Sequence, residues 1–121
     1  MIKPTIQERR KYKRRNLSYY LPIIDNDVEQ VLGHLVDISL VGIMIDCKRN
    51  IPSGQKYNLR LDLMEKVGEK SSVEFSVQCK WCRFDKIQPY LYNAGFEITQ
   101  ISEEDLVVIK SISEKYGTSD K

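Results

Sequence analysis

Two short segments carry the side chains that could do chemistry. In the first, Glu8-Arg9-Arg10-Lys11-Tyr12-Lys13-Arg14-Arg15, Arg10 and Arg14 stand four apart inside a basic run. In the second, Asp37-Ile38-Ser39-Leu40-Val41-Gly42, a carboxylate, a hydroxyl and a glycine follow one another in a hydrophobic region. Guanidinium forks grip phosphates and base edges bidentately, and the Asp, Ser and Gly backbone offer complementary hydrogen bonding. Together the segments describe an anion site. Each also has a plainer reading by itself: a charge run is commonly a solvated tail. Asp, Ser and Gly likewise make an ordinary strand-to-strand turn, with the side chains bonded to local backbone and the glycine at positive φ.

Other chemistry is weakly encoded. Cys79-Lys80-Trp81-Cys82 has CxxC spacing, but it is a single pair on an expected strand, where positions i and i+3 point to opposite faces. A buried Cys79 and a more exposed Cys82 are expected instead. His34 is the one histidine and has no nucleophile near it in sequence, so it reads as a strand residue. Glu103, Glu104 and Asp105 suit the start of a helix better than a metal. No catalytic residue, metal ligand or cofactor is assigned, and the chain does not read as an enzyme.

The 121 residues, 41% hydrophobic and 30% charged, fit one compact domain. The net charge of +2 is unevenly placed: residues 1–16 hold seven basic groups against Glu8, whereas the remainder holds 12 basic and 16 acidic residues. A +6 arm on a −4 body argues for a local polyanionic partner rather than a surface that coats nucleic acid. No apolar stretch approaches the roughly 20 residues needed to span a bilayer, and no signal-peptide core begins the chain. A cytoplasmic protein without membrane insertion is expected. The odd count of three cysteines fits free thiols in a reducing compartment.

These residues need a scaffold, and alternation supplies one. Leu17 to Ile24 reads as a strand, Asp25-Asn26-Asp27 as a turn, Val28 to Ile38 as a second strand and Gly42 to Cys47 as a third, in a meander-like order. Pro52-Ser53-Gly54 supplies the next turn. Tyr57, Leu59, Leu61 and Leu63 then share one face, as do Val73, Phe75, Val77, Cys79 and Trp81, and again Tyr90, Tyr92, Ala94, Phe96 and Ile98. The connections fall around Val67 to Glu69 and Lys86 to Pro89. Six short strands predict a small closed or nearly closed antiparallel β-barrel, because closure removes exposed edges. Ser102 then caps a helix of roughly 12 to 15 residues bearing Leu106, Ile109, Ile112 and Tyr116, which Gly117 ends. The expected organisation is a flexible basic arm at 1–16, the barrel and helix at 17–117, and a polar tail at 118–121.

The conjunction of the two segments resembles the PilZ domain family. Glu8 to Arg14 looks like its RxxxR signature with a preceding Glu-Arg, and Asp37 to Gly42 matches its (D/N)xSxxG signature. The resemblance runs along essentially the whole chain, and Trp81, Gly95 and the closing helix also fall where that family tends to place such features. It implies a six-stranded PilZ-type barrel with a C-terminal helix, and a bacterial receptor for the second messenger cyclic di-GMP. By resemblance Arg10 and Arg14 contact phosphates and the guanine O6/N7 edge, Asp37 and Ser39 bind from the barrel, and Gly42 permits close backbone approach. Arg9 stacks on a base or meets a second ligand molecule. The implied mechanism is ordering of the arm by ligand, read out by a downstream protein partner. Two other classes stay open: nucleic-acid binding through the arm's phosphate contacts, and a ligand-independent adaptor.

Overall fold

The computed structural model describes residues 21–116. Its elements are β1 (Pro22–Asp25), β2 (Gln30–Ile38), β3 (Gly42–Cys47), β4 (Lys56–Val67), β5 (Lys70–Phe84), β6 (Tyr92–Ile101) and α1 (Glu103–Tyr116). All strand pairs are antiparallel, and they close into a barrel in the order β1-β2-β3-β6-β5-β4. The expected six-stranded barrel with a C-terminal helix is what the chain forms. The arm at 1–16 with Arg9, Arg10 and Arg14, the expected strand residues 17–20, Gly117 and the tail lie outside the described residues.

The order departs from a simple meander. Two three-strand meanders, β1-β2-β3 and β4-β5-β6, pair through β3 with β6 and β1 with β4, so the β3 to β4 connection crosses an end of the barrel. Ile51 in that connection is 1% exposed and plugs the end. Its N–H donates to Cys82 Sγ at 3.3 Å, and Gly54 N–H donates to the Cys79 carbonyl at 2.7 Å. Burying one apolar side chain here pulls the crossing segment onto the core.

Alternation fills the interior. Ile23, Ile45, Leu59, Leu61, Val73, Val77 and Ala94 are fully buried, and Tyr57 meets Phe96 edge to face with ring centroids 6.0 Å apart. At the start of α1 the Asp105 N–H donates to Ser102 Oγ at 3.1 Å, the cap expected from sequence. Val108, Ile109 and Ile112 are buried while Val107 is exposed, so the helix lays one stripe on the barrel. Asp105 does more than favour the helix dipole. It is buried, accepts from the Glu74 N–H at 3.2 Å and pairs with Lys70 Nζ at 3.0 Å, which ties α1 to β5.

Three boundaries differ from the periodic reading. Within the described residues β1 begins at Pro22, the first-residue position where a missing N–H is tolerated. The first turn runs on through Glu29, at φ 55, so β2 starts at Gln30 rather than Val28. Arg60 holds that unusual backbone by pairing with Glu29 at 3.0 Å. Tyr90 belongs to the β5–β6 loop and is highly exposed, because Asp85 and Leu91 already close the hairpin through a 2.9 Å backbone bond.

Candidate functional site

Two β-bulges decide which side chains reach the outer face of the barrel. In β2 the register steps from Leu35 opposite Ile45 to Asp37 opposite Met44, leaving Val36 as the extra residue. In β5 it steps from Cys79 opposite Phe96 to Trp81 opposite Gly95, leaving Lys80 extra. One inserted residue reverses the in-and-out alternation beyond it. Asp37 therefore points outward while Ile38 enters the core, and Trp81 points outward while Cys82 packs against the core. This corrects the expectation that Trp81 shares a face with Val73, Phe75, Val77 and Cys79. It also corrects the expectation that Cys79 and Cys82 face opposite ways. Cys79 is nonetheless the more buried of the two, as expected.

The bulges bring four strands into one row. Asp37 pairs with Met44, Met44 with Gly95 and Gly95 with Trp81, all outward; the next row inward is Ile38, Ile43, Phe96 and Cys79. The outward row floors an open groove of about 480 Å³, with Ser39 and Gly42 at one side and Lys80 and Glu97 at another. Gly95 is the seat of the indole, since a Cβ there would collide with Trp81 ring atoms. The Arg83 guanidinium stands 4.2 Å from the centre of the Trp81 ring, a cation–π contact. Lys80 and Glu97 pair at 3.5 Å, so the groove's own charged groups, Asp37, Lys80 and Glu97, sum to −1.

The Asp37 to Gly42 segment is the turn that closes β2 onto β3. Ser39 N–H donates to the Gly42 carbonyl at 2.9 Å, and Ser39 Oγ accepts from the Val41 and Gly42 N–H groups, both at 3.3 Å. Asp37 Oδ1 accepts from the Ile38 N–H at 2.9 Å. The plainer local reading of Ser39 thus holds in this structure: its hydroxyl shapes the turn. Gly42 serves a close backbone approach, here between two strands, and not the positive φ of the plain turn reading. Its φ is not positive; instead a Cβ would stand 2.5 Å from the Phe96 carbonyl oxygen, so glycine lets β3 lie against β6.

Comparison with known proteins decides the family. The profile of the PilZ domain matches residues 8–115, both motif segments included. The chain belongs to the PilZ domain family. Among solved structures, the Bacillus subtilis inhibitor of motility MotI/DgrA superposes with a TM-score of 0.66 at 16% sequence identity. That likeness covers 89% of this chain and 50% of the other, so the chain spans half the length of that protein. No curated protein gives a significant match. PilZ domains form a family of cyclic di-GMP receptors and are generally non-enzymatic.

The remaining candidates sit within the PilZ barrel as structural residues. Cys47, Cys79 and Cys82 carry free thiols beneath the crossing segment. Burial, and then the neighbouring Cys82, pushes the Cys47 thiol up to about 11, and the Cys79 thiol is raised by the same causes in the same order. Thiols held protonated at neutral pH are poor nucleophiles and poor metal ligands. Among the described residues no group of three or more His, Cys, Asp or Glu side chains is placed to hold a metal ion. His34 is a β2 residue facing Asp46 across the β2–β3 pair, with Nδ1 4.0 Å from its carboxylate. Nor is any helix among them long and apolar enough to cross a membrane. Residue-by-residue reading passed over Met44, Lys80 and Glu97 as groove residues. Two glycines placed where a strand should carry side chains, Gly42 and Gly95, were the available signal.

Proposed function

We propose that this PilZ domain binds cyclic di-GMP between its basic arm and the Asp37–Met44–Gly95–Trp81 groove. The observation that carries the reading is the outward row itself. Two bulges turn a carboxylate and an indole to the same open face, beside the motif turn, at the width of four strands. Asp37 supplies an acceptor for the guanine N1 and N2 donors, and the Arg83 guanidinium stacked on Trp81 supplies a planar face for a purine. Ser39 and Gly42 act by fixing the turn and the strand spacing that set Asp37 in place.

The groove's −1 charge assigns the rest of the work. Two phosphates entering such a face need cations from elsewhere, and residues 1–16 hold the chain's densest supply. Arg10 and Arg14, as bidentate forks, take the phosphates and a guanine edge, and Arg9 takes a base face or a second ligand molecule. Ligand so held bridges arm and barrel and creates a composite face for a downstream protein, with affinity for the arm-docked state driving the change.

Calorimetry with cyclic di-GMP tests this directly. Saturable binding at micromolar or tighter affinity is expected, whereas no heat at about 100 µM ligand rejects the reading. Slowed amide exchange in residues 8–16 on ligand addition is the separate mark of arm docking.

A further inference from the structure

The outer end of the β5–β6 hairpin carries a second feature that the groove does not use. Phe84 and Tyr92 stack across the two strands with ring centroids 4.7 Å apart. Beyond them the Asp85 carboxylate accepts from the Ile87 and Gln88 N–H groups at 2.8 and 2.9 Å and from Asn93 Nδ2 at 3.0 Å. A loop tied in this way holds apolar side chains outward: Phe84 is 68%, Ile87 84% and Tyr90 86% exposed. Three such side chains present on the order of 500 Å² of exposed surface, in the range of the largest apolar patches of monomers, which are often functional.

Cations stand beside this tip. Arg83 and Lys86 flank Phe84 and Asp85 in the chain, and Lys48 and Arg49 stand at the same end of the barrel because Cys47 pairs with Tyr92. Leu91 of the loop lines a hollow of about 330 Å³ with Lys48, Arg49, His34, Asp46 and Val31. Of the carboxylates at this end of the barrel, Asp85 is engaged inside the loop, Asp46 faces His34, Asp27 accepts from Asn58, Glu29 pairs with Arg60, and Asp25 lies near Tyr57. Arg49 gives one nitrogen to Tyr57 at 3.3 Å.

We propose that this hairpin end docks peripherally on an anionic lipid surface, with Ile87 and Tyr90 entering the interface and Lys48, Arg49 and Lys86 meeting headgroup phosphates. The charge pattern selects the occupant. A second copy would set the same cationic flank against itself, and the patch falls short of the roughly 800 Å² per partner of a stable interface. A convex tip with an aliphatic apex, aromatic groups behind it and cations beside it suits the boundary of a bilayer, where Tyr sits well and basic groups are attracted. This surface is separate from the groove and does not rest on the cyclic di-GMP reading.

Flotation of the full chain with phosphatidylcholine vesicles, alone or with about 30% phosphatidylglycerol, tests it. At least about tenfold more protein is expected with the anionic vesicles, about the gain from one or two basic groups. Ile87→Asp with Tyr90→Ser should lower that recovery about tenfold by removing the inserting groups, with the melting temperature unchanged. Lys48→Glu with Lys86→Glu should lower recovery on the anionic vesicles about tenfold or more, the basic arm keeping a residual preference for anionic lipid. Recovery that is insensitive to Ile87→Asp would mean that the basic arm alone binds the vesicles, and would overturn the proposal. Absence of flotation with both vesicle types would also overturn it and leave an acidic-rimmed protein socket as the occupant. Calorimetry with cyclic di-GMP on the same Ile87→Asp protein reads the groove independently.

Discussion

The two halves of β5 face different tasks. Along its first half, Val73, Phe75 and Val77 alternate regularly into the core, and α1 fastens to it through Asp105, Lys70 and the Glu74 N–H. Along its second half the extra residue Lys80 turns Trp81 outward over Gly95, and the strand becomes the wall of an open groove. Both halves use a carboxylate beside the sheet. Asp105 is buried against Lys70 and the Glu74 N–H, whereas Asp37, which accepts from the Ile38 N–H, stands at the rim of a space large enough for a ligand. Regular alternation builds a closed core; a broken alternation opens a site.

If the first half is structural, the largest effect should be a loss of stability alone. Ile109→Ala, beneath α1, should destabilise by about 2–5 kcal/mol in urea unfolding, while leaving cyclic di-GMP affinity unchanged. A fall in affinity at full folding would erase the distinction between the halves. The groove should show the reverse. Arg14→Ala and Asp37→Ala should each weaken binding by about 1.5–3 kcal/mol, as for a lost charge-assisted hydrogen bond. Their unfolding midpoints should stay near that of the parent protein, and loss of stability without loss of affinity would make Asp37 merely a turn residue.

Gly95→Ala sharpens the boundary between the halves. Its Cβ collides with the indole, so about 1–3 kcal/mol of overpacking is expected, together with red-shifted emission from Trp81, the chain's single tryptophan. Unchanged emission would mean that the ring is not seated there. The smallest effect is one of pH. A Cys47 thiol at about 11, against an ordinary 9.0, keeps its proton in the fold while the unfolded chain releases it. The contribution is complete below pH 9.0 and lost as pH rises toward about 11. Tyr57 and Cys79, also raised by burial, act with the same sign. The unfolding free energy measured across that interval should fall less steeply in Cys47→Ala.

Most of the fold could be read from residue types, because period-two apolar faces and a capped helical stripe are local signals. Ser102 was found as the cap it is, and the turn chemistry of Asp37 to Gly42 was visible in the same way. The crossing of β3 to β4 was not, since strand pairing depends on which faces meet across long separations. The left-handed Glu29 escaped for a related reason: its partner Arg60 lies on a strand far along the chain.

By itself the sequence determined that strands and a helix would form, that basic charge would gather in the first 16 residues, and that the family's two motifs would be present. It did not determine which way the decisive side chains would point. Val36 and Lys80 look like ordinary strand residues, and only pairing with β3 and β6 makes each one surplus. Because a single surplus residue exchanges the two faces of a strand, the direction of Asp37 and Trp81 is a property of the assembled sheet.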